Sequence, residues 1–439
     1  MKREDKYWVK YHHALPIWLY LSGAPVRIWF SLVLHESLVD RKRLDTTNQN
    51  FRSALNDAHG RLFTQQWSAW VAGILLALAN ILLFAYEKPW SAAGGVQNWG
   101  NWFLNSVGLT DRIIIPPHLY STSLLNLGVI AGAFAAALLS RQFRIRGAPP
   151  FEISKGIVGG VLMGIGAALA FGCNIGGFFS AISALSMSGV AMMLGLLIGS
   201  YIGLRLLILE VNHLSPSVTP SDPKATRTQS ENWIKFQPVV GGLVLLIGLG
   251  LTFVYDGFDY PTRGVFLLFG LLIGLVMQRS RFCFVRAFRE PFLTGDGGMT
   301  KAVILAVIIS VIGFSILKWT DLRDWDAFVR PGFWMGSLTG GIIFGVGMSL
   351  TGGCATGCLW RAGEGQVKLW VAIIAFALSR AIFVGWLEDS GWQMKLGESV
   401  FLPDYVGWKA GVLMVIAIMV LWYLLVVWNE VKRKLIITW

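Results

Sequence analysis

The chain has 439 residues, 54% hydrophobic and only 14% charged, with 50 glycines, four cysteines and a net charge of +12. A mean hydropathy of +0.58 excludes an ordinary soluble domain and places the chain in a membrane. No disulfide framework is expected, because the segments placed outside contain no cysteine. The basic surplus does not mark a nucleic-acid binder, because its distribution along the chain follows membrane topology.

Residues 1–66 read as a cytoplasmic or interfacial extension. Met1–Lys10 is polar, and no small-residue cleavage site follows a clean apolar core, so no cleavable signal is expected. Ile17–Val39 is apolar and aromatic but interrupted by Pro25, Arg27 and His35. An interfacial segment with Trp18, Trp29 and Phe30 in the headgroup region fits those interruptions; a spanning helix is the alternative. Asp40–Gln66 follows as a soluble connector.

Ten apolar runs of bilayer length then follow, at roughly 67–86, 123–140, 156–172, 189–208, 238–255, 264–279, 301–317, 334–352, 368–387 and 411–428. Two shorter apolar stretches, 174–188 and 355–365, are too broken to cross and are expected to be re-entrant half-helices. The fold class is therefore all-α, a polytopic membrane protein. The expected plan is a first repeat at 67–210, a linker plus connecting helix at 211–260, a second repeat at 261–390, and a closing helix with a cytoplasmic tail at 391–439.

The repeat is written in the glycines. Gly159-Gly160-Val-Leu-Met-Gly164-Ile-Gly166, ending in Gly172-Cys173-Asn174-Ile-Gly176, matches Gly340-Gly341-Ile-Ile-Phe-Gly345-Val-Gly347, ending in Gly353-Cys354-Ala-Thr-Gly357, without a gap. Each copy is an apolar helix that breaks at Gly-Cys. A helix can break inside a membrane only where the freed backbone is buried in protein or lines a cavity, and a duplicated break points to a transporter's binding site. Four spans per unit plus one connecting span is odd, so the second unit is expected to be inverted.

Most of the 37 Lys and Arg fall in the segments that this topology puts inside, which is the positive-inside pattern with both termini cytoplasmic. Cys173 then opens outward and Cys354 inward. Pairs such as Gly128/Gly132, Gly160/Gly164, Gly195/Gly199, Gly270/Gly274 and Gly341/Gly345 let neighbouring helices approach closely.

The candidate site follows from these breaks. Cys173 and Cys354 sit where half-helix N-termini offer free N–H groups and the positive dipole end, with Asn174, Gly176 and Gly357 in the same turns. A soft thiol beside such a cradle suits an anion with an exposed sulfur or selenium atom. Cys283, among Arg279, Arg281 and Arg286, would receive the anion on the cytoplasmic side or merely anchor a helix end. Cys358 lies one turn beyond Cys354 and has no counterpart, since Gly177 stands at its place. Arg380 lies deep in a span, where a charge faces a cavity or a partner, and Glu364 and Glu388 are its candidate partners. Arg361 reads as a loop-fixing or anion-attracting residue. The six histidines lie in loops or soluble segments, so no metal and no cofactor is expected, and there is no Walker-type loop.

The tracts Phe171-Gly172-Cys173-Asn174-Ile175-Gly176-Gly177, Phe282-Cys283, and Gly353-Cys354-Ala-Thr-Gly357 with Arg361-Ala-Gly-Glu364-Gly365 resemble the YeeE/YedE membrane family. The likeness covers roughly residues 67–430 and leaves the N-terminal extension outside. It implies an inverted-repeat bundle of the bacterial inner membrane with Cys173, Cys283 and Cys354 lining a narrow conduit. It also implies thiosulfate uptake, or selenium transport, and a small cytosolic sulfur-carrier partner. The first unit departs from the pattern, having Ala85-Tyr86-Glu87-Lys88-Pro89-Trp90 where a Phe-Cys motif would stand. The expected function is transport of a small sulfur-containing anion, foremost thiosulfate, across the lipid bilayer. The alternatives are a membrane sulfurtransferase or redox enzyme forming a Cys persulfide, and a selenium-compound transporter.

Overall fold

The structure, a computed structural model, describes residues 60–110, 112–213 and 231–437. The interfacial segment expected at Ile17–Val39, the connector before residue 60 and positions 214–230 of the linker lie outside the described residues. Within the described residues there is no β-strand, and ten segments are long and apolar enough to cross a bilayer. In chain order the helices are α1 (Ala69–Tyr86), α2 (Ala93–Ser106), α3 (Ser121–Leu139), α4 (Pro150–Leu169), α5 (Met187–His213), α6 (Glu231–Gly257), α7 (Pro261–Ser280), α8 (Phe284–Leu293), α9 (Gly298–Trp319), α10 (Met335–Thr351), α11 (Val367–Asp389) and α12 (Trp408–Lys432). A first half-helix, Asn174–Phe179 in π geometry running into Ser180–Ser183, follows α4; a second, Ala355–Gly363, follows α10. Each of the ten predicted spans corresponds to one of these helices. Of these twelve, α2 and α8 lie outside the predicted spans, as does a short helix at Leu402–Val406.

Local signals place several boundaries. Pro150 and Pro261 open α4 and α7, where the missing N–H costs nothing. Ser68 caps α1 by accepting from the Trp70 N–H at 3.3 Å. The predicted span 156–172 begins six residues late because Glu152 and Lys155 read as loop. In the fold Glu152 pairs with Lys155 and with Lys368 of α11, so the polar turn stays helical.

Packing maps onto itself when the two units are exchanged. α3 lies on α7, as α9 lies on α1; α4 lies on α11, as α10 lies on α5. The second half-helix packs on α3 and the first on α9; α2 packs on α11 and α8 on α5. Glycine contacts give the directions. Gly159 faces Gly347 and Gly166 faces Gly340, so the equivalent helices α4 and α10 run antiparallel; Gly160 faces Ala372 while Gly164 faces Phe376, so α4 and α11 run parallel. Antiparallel equivalents make the repeat an inverted one, as the span count anticipated. α6 lies on α3 and α7, and α12 lies on α9; both keep mostly exposed apolar surface, as lipid-facing helices do.

These contacts are backbone to backbone. A Cβ on Gly341 would stand 2.7 Å from the Met192 carbonyl oxygen, and one on Gly340 would stand 2.6 Å from that of Gly166. Gly341→Val is therefore expected to part α10 from α5 at a cost of about 3 kcal/mol, the upper range for overpacking. A lowered melting temperature of the detergent-purified protein checks this, and an unchanged one contradicts it.

Candidate functional site

The two Gly-Cys breaks have the same local geometry. α10 ends on Gly352 at φ +76°, and Phe171, its counterpart, takes the left-handed region at φ +52° without being glycine. A bulky residue enters that region at a cost of about 1 kcal/mol, so the surrounding fold enforces the turn. Cys173 (φ −80°, ψ −178°) and Cys354 (φ −79°, ψ 178°) then cap the half-helices in one shared conformation. Their carbonyls accept from Gly177 and Cys358 at 2.6 and 2.7 Å, and the Cys354 thiol accepts from the Gly357 N–H at 3.3 Å. Cys283 caps α8 in extended conformation, while Ala92 caps α2 at the corresponding place. In space the place of the missing first-unit Cys is taken by Ala92, two residues beyond the tract Ala85–Trp90 that the sequence aligned with the motif.

All four cysteines are buried and free. Cys354 lies within electrostatic reach of both Cys283 and Cys173, and the Asn174 amide faces its sulfur. A Cβ placed on Gly357 would stand 3.2 Å from the Cys354 sulfur and 3.8 Å from that of Cys283. The two thiols therefore share the space that this glycine leaves open. Cys358 stands behind them, its sulfur 3.0 Å from where a Cβ on Gly353 would lie. On the second half-helix the buried Thr356 hydroxyl and Trp360 Nε1 have no hydrogen-bond partner. Each such group costs roughly 1–3 kcal/mol unless a polar partner reaches it.

Guanidinium groups lie near two of the thiols. Arg330 and Arg380 are in electrostatic range of Cys173, whereas Arg286 and Arg289 are in range of Cys283. Arg361 belongs to the Cys283 end; it donates from Nη1 to the Gly352 carbonyl at 2.7 Å, which ties the second half-helix to the turn that precedes it. The far ends of the half-helices are also held by cations: Lys318 Nζ donates to the Ala184 carbonyl at 3.0 Å, and Arg281 pairs with the fully buried Glu364 carboxylate at 2.6 Å.

One sequence expectation is corrected here. Arg380 pairs with neither Glu364 nor Glu388. Glu364 is engaged by Arg281 and Arg146, and Glu388 by Arg112 at 2.6 Å, while Arg380 Nε donates to the Gln97 side chain at 3.2 Å. The reason is α2, which carries Gln97 against α11 and is not visible as a span. Arg330 and Thr356 went unmarked in the sequence, and Arg289 counted only toward the charge placed inside. The one available signal for Arg330 was a basic residue in a segment expected outside, where few occur.

Two inverted units with broken helices meeting at the centre define a membrane-transporter architecture. The chain belongs to the Sulphur transport family, which it matches over residues 4–202 and 279–438. That match begins at residue 4, so the family likeness takes in most of the N-terminal segment that the cysteine tracts had left outside. The chain is 31% identical to the probable transporter YedE of Escherichia coli over 316 residues, 68% of this chain and 76% of that protein. It is 30% identical to YedE of Salmonella typhimurium over 349 residues, 74% of this chain and 84% of that protein. A shorter stretch of 150 residues, 33% of this chain and 44% of the relative, is 36% identical to the thiosulfate transporter TsuA of Spirochaeta thermophila. No solved structure matches the chain.

Proposed function

We propose that the protein carries a small sulfur-containing anion, thiosulfate foremost, from outside the bacterial inner membrane to the cytoplasm, past Cys173, Cys354 and Cys283 in that order. What supports this reading is the proximity of Cys354 to both Cys173 and Cys283, with Arg330 and Arg380 near Cys173 and Arg286 and Arg289 near Cys283. Charges at the mouths attract an anion, and weak neutral S–H donors at the constriction hold it loosely. Conduction needs this division, since a site must bind well enough to admit the ion and loosely enough to release it. The Asn174 amide beside the Cys354 sulfur and the unpartnered Thr356 hydroxyl replace part of the hydration shell that the anion loses.

The termini are cytoplasmic in this reading, and the Arg330 end opens outward. A cysteine introduced at Met394 should react with an impermeant maleimide in intact cells, and one at Lys434 only after permeabilisation. The reverse pattern would turn the path around. Delivery to a small cytosolic sulfur carrier at the Cys283 end completes the proposal.

The test is uptake of sulfur-35 thiosulfate into proteoliposomes, with sulfite, sulfate and selenite as competitors. Accumulation of neither a sulfur nor a selenium anion would sink the transporter reading. Gly357→Ala is expected to slow uptake about tenfold, roughly 1.4 kcal/mol, with folding unchanged, because its methyl group fills the space between two thiols.

A further inference from the structure

On the side of Cys173, two arginines come from different parts of the chain. Arg380 is on α11, and Arg330 lies in the loop before α10, where its backbone N–H donates to the Ser186 hydroxyl at 3.1 Å and its carbonyl accepts from Ser188 at 2.7 Å. The two guanidiniums lie within electrostatic range of each other, of Cys173 and of the Tyr120 hydroxyl. Neither forms an ion pair among the described residues; the carboxylates nearest in sequence to Arg380, Glu388 and Asp389, are both taken by Arg112 at 2.6 and 2.8 Å. Arg380 is 93% buried, being only 7% exposed, yet its Nη1 has no partner, and neither does Arg330 Nε. A cavity of about 270 Å³, lined by Gln97, Asn98, Asn101 and Tyr120 among others, reaches the Gln97 side chain that accepts from Arg380.

Two like charges, Arg380 buried and Arg330 half-buried over the Phe328 ring at 3.8 Å, keep spare donors and have no carboxylate, which is costly unless a counter-charge visits them. A monovalent anion would neutralise only one. We infer that Arg330 and Arg380 form an outer capture site for the doubly charged oxygen-bearing head of an oxyanion, upstream of the thiols. The site reads charge and oxygen geometry, while the thiols behind it read sulfur. Sulfate, which has the same charge but no terminal sulfur, should therefore occupy the capture site without passing onward. Arginine suits this role because its planar fork meets two oxygens at once.

The inference rests on the transporter reading for its direction, and binding measurements separate the two. Sulfate is titrated against detergent-purified full-length protein, by calorimetry and by the rise in melting temperature, with nitrate as the monovalent comparison. Sulfate should bind and stabilise the wild type, and nitrate should not. Arg330→Gln and Arg380→Gln should each weaken sulfate binding about tenfold or more, the scale of a lost charge-assisted contact. The lysine replacements should recover part of it. In uptake assays the same glutamine variants should raise the KM for thiosulfate more than they lower its maximal rate, and sulfate should compete without accumulating. If wild-type protein binds nitrate as well as sulfate, or if the glutamine variants bind sulfate like wild type, the capture site is refuted. If sulfate binds as expected but no sulfur anion is taken up, the capture site stands and the transport reading fails.

Discussion

Replacing Cys354 by serine is expected to slow thiosulfate uptake by about ten- to a hundredfold, a barrier increase of roughly 1.4–2.7 kcal/mol, without abolishing it. Cys354 lies within electrostatic reach of both Cys173 and Cys283 and caps the second half-helix. A serine hydroxyl keeps a donor there and can still accept from the Gly357 N–H, so the half-helix stays capped. What is lost is the larger, softer atom that matches a sulfur-bearing ion. Alanine removes donor and cap together and should be the more damaging change. The pair of variants separates hydrogen-bonded passage from covalent relay. Complete loss in the serine variant, with a persulfide on wild-type Cys354 by mass spectrometry, would make the protein a sulfurtransferase instead.

The second large effect is expected at Glu364. Its carboxylate is fully buried, pairs with Arg281 at 2.6 Å, accepts from Gln278 Nε2 at 3.0 Å and lies 3.8 Å from Arg146. These contacts tie the end of the second half-helix to the segment Arg281-Phe282-Cys283, and so fix Cys354 relative to Cys283. Glu364→Ala leaves Arg281 and its neighbour Arg279 without their shared counter-charge. Breaking a buried pair costs about 3–5 kcal/mol, reduced here to about 2–3 because Arg281 is partly exposed. Melting temperature should fall and uptake should fall with it. A double-mutant cycle with Arg281→Ala isolates the pair; a coupling near zero would show that the half-helix is held by packing alone.

Much of the scaffold was legible before any coordinates. The spans could be read because bilayer thickness sets their length, and the breaks because Gly-Cys recurs in register. Helices α2 and α8 could not. α2 is rich in Asn, Gln and Trp and looks like a loop until its buried face meets α3 and α11. The partner of Arg380 was misread for the same reason, since nothing in the sequence brings Gln97 to a residue 283 positions away. Cys283 could be named a candidate from its motif, but its place beside Gly357 depends on how α8 enters the bundle.

By itself, then, the sequence determined an all-helical membrane protein, its duplication, and its inversion through the odd number of spans. Those properties are local or countable: apolar length, glycine register and parity. Only the tertiary structure decided which side chains meet. It brought Cys354 within electrostatic reach of both Cys173 and Cys283, assigned Glu364 to Arg281 and left Arg330 and Arg380 without a carboxylate partner among the described residues. Partners at long sequence separation are chosen by the close approach of helices at their glycines, and that approach exists only once both halves of the inverted repeat are folded against each other.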